Sequence, residues 1–186
     1  YICQIQRRNL RPVVGDKVAW QRTSNKSGTV TDILPRDVEL TRLNARGNAE
    51  VIAANLSQLV IVLASKPNPD WFALDRYLCA TELIHAKGLI LLNKTDLILE
   101  PPAVLHEYEI IGYPVHQVSA KKDMGLQSLA HEMANDCSMI VGQSGVGKSS
   151  LLNMLLGDTH QAVGQLSEKT AQGRHTTTTS VMYQLP

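Results

Sequence analysis

No apolar run in the chain approaches the ~20 residues that a membrane span needs, so no part of it is expected to cross a membrane. It also lacks a charged-then-apolar leader behind its first residue, which is Tyr1 and not Met. The expectation from that end is a trimmed or partial chain with no export signal, working in the cytoplasm. Cysteine is scarce, with only Cys3, Cys79 and Cys137. Their number is odd and no two stand close enough to form a metal-ligand pair. They read as buried or incidental thiols of a reducing compartment. The six histidines lack paired metal spacing as well. There is no internal repeat and no low-complexity tract. What is present is 186 residues, 44% of them hydrophobic. That is room for one ordinary domain plus a small one, with a real core.

The net charge of +1 hides an uneven spread. Residues 1–50 hold nine Lys/Arg and five Asp/Glu, a balance of +4, while residues 51–186 hold nine and twelve, a balance of −3. A basic N-terminal part suits an anionic partner, nucleic acid being the usual one. Arginines decorating a small surface are the other reading, and both stand.

Two regions differ in texture. From Tyr1 to Ile52, short β-rich runs (Val18–Trp20, Gly28–Leu34, Val38–Arg42) alternate with turns at Val14-Gly15-Asp16 and Pro35-Arg36-Asp37. This spacing predicts a small all-β barrel, OB-like and incomplete at its start. From Asn55 onward the pattern becomes strand–helix–strand. Leu59–Ala64, Gly88–Leu92, Pro114–Val118 and Ser138–Val141 read as strands. Helices are predicted over 74–86, 101–111, Leu126–Ala134 and Ser149–Leu156. In the first of these, Leu74, Leu78, Leu83 and Ile84 are expected to share an apolar stripe. Ser180–Leu185 alternates and is expected to begin a further strand. Strands apolar on both faces and separated by helices predict a mostly parallel sheet with helices on both sides.

Between an apolar strand and a helix stands Gly142-Gln143-Ser144-Gly145-Val146-Gly147-Lys148-Ser149. It matches GxxxxGK[ST] in the context that this phosphate-binding loop requires. The glycines let backbone N–H groups turn inward around a β-phosphate. The following helix, including Ser150, points its positive end there. Lys148 supplies a charge to the β- and γ-phosphates, and Ser149 a hydroxyl to Mg²⁺.

The loop alone does not separate ATP from GTP; Asn93-Lys94-Thr95-Asp96 does. Guanine presents N1–H and N2–H₂ side by side, and an ionised Asp96 can accept both. Adenine leaves that carboxylate unpaired. Asn93 can bridge to the base and to the phosphate loop, and the stem of Lys94 can lie over the ring. One strand later come Ser119, Ala120 and Lys121, placed for a backbone N–H from Ala120 to guanine O6 and for Lys121 to cover the base edge. A further element, Gly173–Thr179, has the place of a mobile switch between the loop helix and the last strand. One of its threonines, Thr177 before its neighbours, is expected to complete the Mg²⁺ shell. The polar stretch 159–174 is expected to move without nucleotide. The order is unusual, because Asp96 precedes Gly142 by 46 residues, whereas ordinary GTPases place the phosphate loop first.

These residues resemble the circularly permuted GTPases, and most closely the ribosome small-subunit-dependent GTPase A family. The matching residues are Val14-Gly15-Asp16, the Arg36 turn, Asn55–Val62, Asp75-Arg76-Tyr77-Leu78, NKTD, the phosphate loop and Gly173–Thr178. The resemblance implies a circularly permuted P-loop GTPase fold, over 53–186, behind an OB-like RNA-binding domain over 1–52. It implies GTP/GDP and Mg²⁺ as ligands and a role in maturation of the small (30S) ribosomal subunit. The partners would be that subunit and its 16S rRNA, with hydrolysis stimulated by the subunit and the protein monomeric. His175 falls where a switch histidine aids hydrolysis in such proteins; a plain surface histidine is the equal alternative. The family's DxxG loop and its C-terminal domain, where Zn²⁺ would sit, have no counterpart before Pro186. Two rivals remain: an RNA-binding module with a vestigial nucleotide site, and an ATP-dependent kinase, which has no use for NKTD.

Overall fold

The computed structural model describes residues 1–5, 10–157 and 181–185. The chain divides into two compact units, with the boundary between Leu56 and Ser57.

In the first unit, β1 (Ile2–Ile5) pairs parallel with β3 (Ser27–Ile33), and β2 (Val18–Arg22) pairs antiparallel with β3. A separate hairpin joins β4 (Glu39–Leu43) to β5 (Ala49–Ala54). The β1 and β5 strands have weaker apolar alternation and were not foreseen. The turn at Val14-Gly15-Asp16 is fixed by Arg36. Its Nε donates to Asp16 Oδ1 at 2.7 Å and its Nη2 to Asp16 Oδ2 at 2.9 Å. The Val13 N–H adds a bond of 2.8 Å to the same carboxylate. Burial pushes Asp16 up, but the Arg36 and Val13 hydrogen bonds and the Arg36 charge outweigh it and hold the group below its ordinary value. Gly15 has φ +90°, and a Cβ there would strike the Ala54 carbonyl, so only glycine fits.

The second unit is a parallel sheet in the order β8-β7-β6-β9: β8 Val115–Gln117, β7 Lys87–Asn93, β6 Gln58–Ala64 and β9 Ser138–Val141. The alternation of each strand splits its side chains between two cores. Val60, Val62, Leu89 and Leu91 face α3 (Leu126–Met133) and α4 (Lys148–Leu156) in one. Leu59, Ile61, Leu63, Ile90 and Leu92 face α1 (Trp71–Leu83) and α2 (Val104–Ile110) in the other. Every residue of β6 is buried, as a central strand covered on both faces should be.

Several boundaries and faces differ from the expectation. Helix α1 starts earlier, at Trp71, because Asp70 Oδ1 caps the Ala73 N–H at 2.9 Å. Its buried face is Leu74, Leu78 and Thr81. Leu83 lies five residues beyond Leu78, roughly 140° round the helix, and is 81% exposed. Residues 181–185 form no strand. A strand exists only through its ladder, and none of the described strands pairs with this segment. All three cysteines are free; Cys3 and Cys79 are exposed and Cys137 is half-buried, so of the two alternatives, buried or incidental, Cys3 and Cys79 fit the second. No described helix is long and apolar enough to cross a membrane.

Candidate functional site

Because β6, β7, β8 and β9 run parallel, their C-terminal ends share one edge of the sheet. Ala64 pairs with Asn93, Leu92 with Gln117, and Ile61 with Val141. The loops that leave these ends therefore meet, which is where open parallel sheets bind ligands. Asn93–Asp96 leaves β7, Ser119–Lys121 follows β8, and Gly142–Gly147 joins β9 to α4.

Asn93 is the junction of the three loops. Its Nδ2 donates to the Val146 carbonyl of the phosphate loop at 2.9 Å. Its Oδ1 accepts from the Lys94 N–H at 2.8 Å and from the Ala120 N–H at 3.3 Å. The side chain is buried, so each bond fixes a loop and also offsets a desolvation cost. Lys94 sits in the left-handed region at φ +62°. Its Nζ donates to the carbonyls of Gly145 at 2.6 Å and Lys66 at 2.7 Å, which lays its stem between NKTD and the phosphate loop. Ser119 Oγ donates to Asp96 Oδ1 at 2.6 Å, and Thr95 Oγ1 to the Val118 carbonyl at 3.0 Å. Asp96 is thus held by the loop that follows β8.

In the phosphate loop, Gly142, Gly145 and Gly147 all have positive φ. A Cβ on Gly147 would lie 2.5 Å from Asn93 Nδ2, so the closeness of the two loops demands glycine. Val146 does not face the ligand side: its side chain is fully buried in the core, and the loop offers only its backbone there. Lys148 folds back, donating to the carbonyls of Gly142 at 2.8 Å and Gln143 at 2.6 Å. Burial pushes this ammonium below its ordinary value, a cost that a bound anion would relieve. Gln143 Oε1 is buried without a hydrogen-bond partner among the described residues. Gly147 caps α4 without a side-chain bond, leaving the first N–H groups of the helix to an anion.

Two adjoining clefts result. One, of about 380 Å³, is lined by Lys94, Ser144, Gly145, Gly147, Lys148, Ser149 and Ser150. The other, of about 270 Å³, is lined by Asn93, Lys94, Asp96, Leu97, Ala120, Lys121, Gly147 and Ser150. The expected residues Gly142, Gln143, Val146 and Ser119 line neither cleft but hold the residues that do. His175 and Thr177, with the whole of 159–174 and Gly173–Thr179, lie outside the described residues.

Sequence reasoning missed Leu97, which lines the second cleft, and Ser65-Lys66-Pro67, which follows β6. Ser65 Oγ donates to the Lys94 carbonyl at 3.1 Å, and Pro67 lies against Gly145. The available signal was position: a loop immediately after a central parallel strand belongs to the same edge. Among the described residues no group of three His, Cys, Asp or Glu could hold a metal. A divalent ion here would rest on the Ser149 hydroxyl and on oxygens of a phosphate ligand, which is ordinary for Mg²⁺.

The parallel sheet, the phosphate loop and the order in which NKTD precedes it are those of the circularly permuted P-loop GTPase class. The chain belongs to the RsgA GTPase family, which matches residues 33–186. It is 45% identical over 179 residues to the "small ribosomal subunit biogenesis GTPase RsgA" of Pseudomonas syringae pv. syringae, covering 94% of this chain and 52% of that protein. The protein of the same name from Azotobacter vinelandii is 43% identical over the same coverage. Among solved structures, YjeQ from Thermotoga maritima is similar with a TM-score of 0.64 and 29% identity, covering 82% of this chain and 55% of that one. YloQ, described as a circularly permuted GTPase, has a TM-score of 0.63 and 30% identity, with 86% and 58% covered. The chain spans about half the length of the curated relatives it matches.

Proposed function

We propose that this chain binds GTP and hydrolyses it as a factor in maturation of the small ribosomal subunit. The observation that carries the reading is Asn93, whose one amide ties the guanine-reading loop to the phosphate loop. The names of the relatives support the ribosomal role.

In this reading the base occupies the cleft lined by Asp96, Ala120 and Lys121. Asp96 accepts from guanine N1–H and N2–H₂, held in line by Ser119. The Ala120 N–H, which here makes a long bond to Asn93, turns to guanine O6. The phosphates occupy the other cleft, against the N–H groups of Gly145–Ser150. Lys148 leaves its two carbonyls for the β- and γ-phosphates. Bound Mg²⁺ would supply charge neutralisation between those phosphates, held by Ser149 and Thr177. The reaction is attack of water on the γ-phosphate, aided by charge stabilisation from Lys148 and the loop N–H groups and by His175 from the switch. The first unit acts as an OB-like, basic domain that contacts 16S rRNA; Arg11, Lys17, Arg22, Lys26, Arg42 and Arg46 are exposed there. The protein works in the cytoplasm as a monomer, faster when the 30S subunit is bound.

The test is affinity for GTP and ATP in the complete natural protein; equal affinities would sink the role of Asp96. Asp96→Asn is expected to weaken GTP by about a hundredfold, since a carboxylate hydrogen-bond pair is lost, and to shift preference toward xanthine nucleotides. The uneven charge favours a second reading, an RNA-binding module with a vestigial site. Turnover measured with and without small subunits separates the two, because that module would show no stimulation.

A further inference from the structure

The two clefts overlap, and the overlap gives the site a direction. Lys94, Gly147 and Ser150 line both, while Asn93, Asp96, Leu97, Ala120 and Lys121 line only the base side. Ser144, Gly145, Lys148 and Ser149 line only the far side. A nucleotide whose base meets Asp96 therefore carries its sugar and α-phosphate past the shared residues. Its terminal phosphate ends among Ser144, Lys148 and Ser149.

The GxxxxGK[ST] pattern gives Lys148 and Ser149 their roles and leaves position 144 unspecified. This chain places a hydroxyl there. Ser144 is exposed on the cleft side of the loop, and no protein partner holds it among the described residues. The next residue, Gly145, turns at φ +81° and adds no side chain to block the approach. A hydroxyl donates well to a phosphate oxygen, and a charged acceptor strengthens the bond. We infer that Ser144 Oγ donates a hydrogen bond to a γ-phosphate oxygen, making Ser144 a residue that distinguishes nucleoside triphosphate from diphosphate. The inference rests on the guanine-nucleotide reading above and assigns to that site a discrimination that its motif does not contain.

The experiment compares GDP with the non-hydrolysable β,γ-imido analogue of GTP, by calorimetry with Mg²⁺, in the complete natural protein. Ser144→Ala is expected to weaken the analogue about tenfold, in line with one charge-assisted hydrogen bond, and to leave GDP within about twofold. Ser144→Thr, which keeps the hydroxyl, is expected to retain the preference. Equal changes for both nucleotides, or no change for either, would overturn the contact. Should Ser144→Ala fold poorly, Ser144→Gly gives the same comparison. A wild-type protein that binds neither nucleotide overturns the nucleotide reading itself and the contact with it. A wild-type protein that binds GDP, paired with a variant without selective loss, overturns the contact alone.

Discussion

Asn93 spends one amide on three neighbours, and Gly147 is the glycine that lets it reach them. Gly147→Ala places a methyl 2.5 Å from Asn93 Nδ2 at φ +94°. It is expected to lower GDP affinity by at least about tenfold, because strain of roughly 1–3 kcal/mol falls on the loop pair itself. Gly112→Ala is the control: its φ is +103° but nothing lies within 4 Å, so it should cost stability and spare affinity. Calorimetric titration of both variants checks this. A second residue-scale expectation concerns pH. The Asp16 side chain is 1% exposed and its folded pKa lies below the ordinary 3.8. The stability it contributes is therefore complete above 3.8 and is lost as pH falls through the folded value. Asp16→Asn should destabilise the protein by about 3 kcal/mol near neutrality, since Arg36 is left short of its partner. The gap from wild type should close in acid, as read by denaturant unfolding across pH. Neither effect is visible in the motif letters, which name the glycine but not the atom it must avoid.

At the scale of elements, the phosphate loop is reliable because its strand and helix are anchored separately from it. Leu151 and Val146 are fully buried in one core with Val62 and Leu89, so α4 and the loop are pinned to the sheet by packing. Leu151→Ala is expected to cost about 3 kcal/mol, the usual range for a buried leucine. Under the proposed function it should also loosen nucleotide binding, since the same helix would present its N-terminus to the phosphates; thermal unfolding and GDP affinity together check it. Most strands and helices of the second unit were legible in the sequence, because continuous apolar runs and helical spacing each report a period. The face of α1 was misjudged at Leu83, where an apolar letter sits off the buried stripe, and Thr81 was missed. Thr81 tolerates burial because its Oγ1 donates to the Leu78 carbonyl at 2.7 Å. The β1 strand was illegible because all four of its residues are exposed, and β5 because its apolar residues Val51–Ala54 run on without alternating.

At the scale of the whole molecule, the site is a property of one edge of one sheet. A ligand that bridges its two clefts stabilises only the folded chain. GDP at about a hundred times its Kd should raise unfolding stability by about 2.7 kcal/mol, read as a higher melting temperature, while ATP should not. The order of the motifs, the NKTD loop with Asp96, the phosphate loop and the family were all determined by the sequence alone, because each depends on residue type at fixed local spacing. Chain order did not decide whether NKTD and the phosphate loop cooperate. That was decided by parallel pairing of β7 with β6 and of β6 with β9, which puts both loops at the same end. The tertiary structure alone brought in Ser65, Lys66 and Leu97, turned Val146 into the core and set Ser144 at the far end of the cleft. Such placements depend on which backbone atoms come within hydrogen-bond distance across strands. No spacing along the chain records that distance.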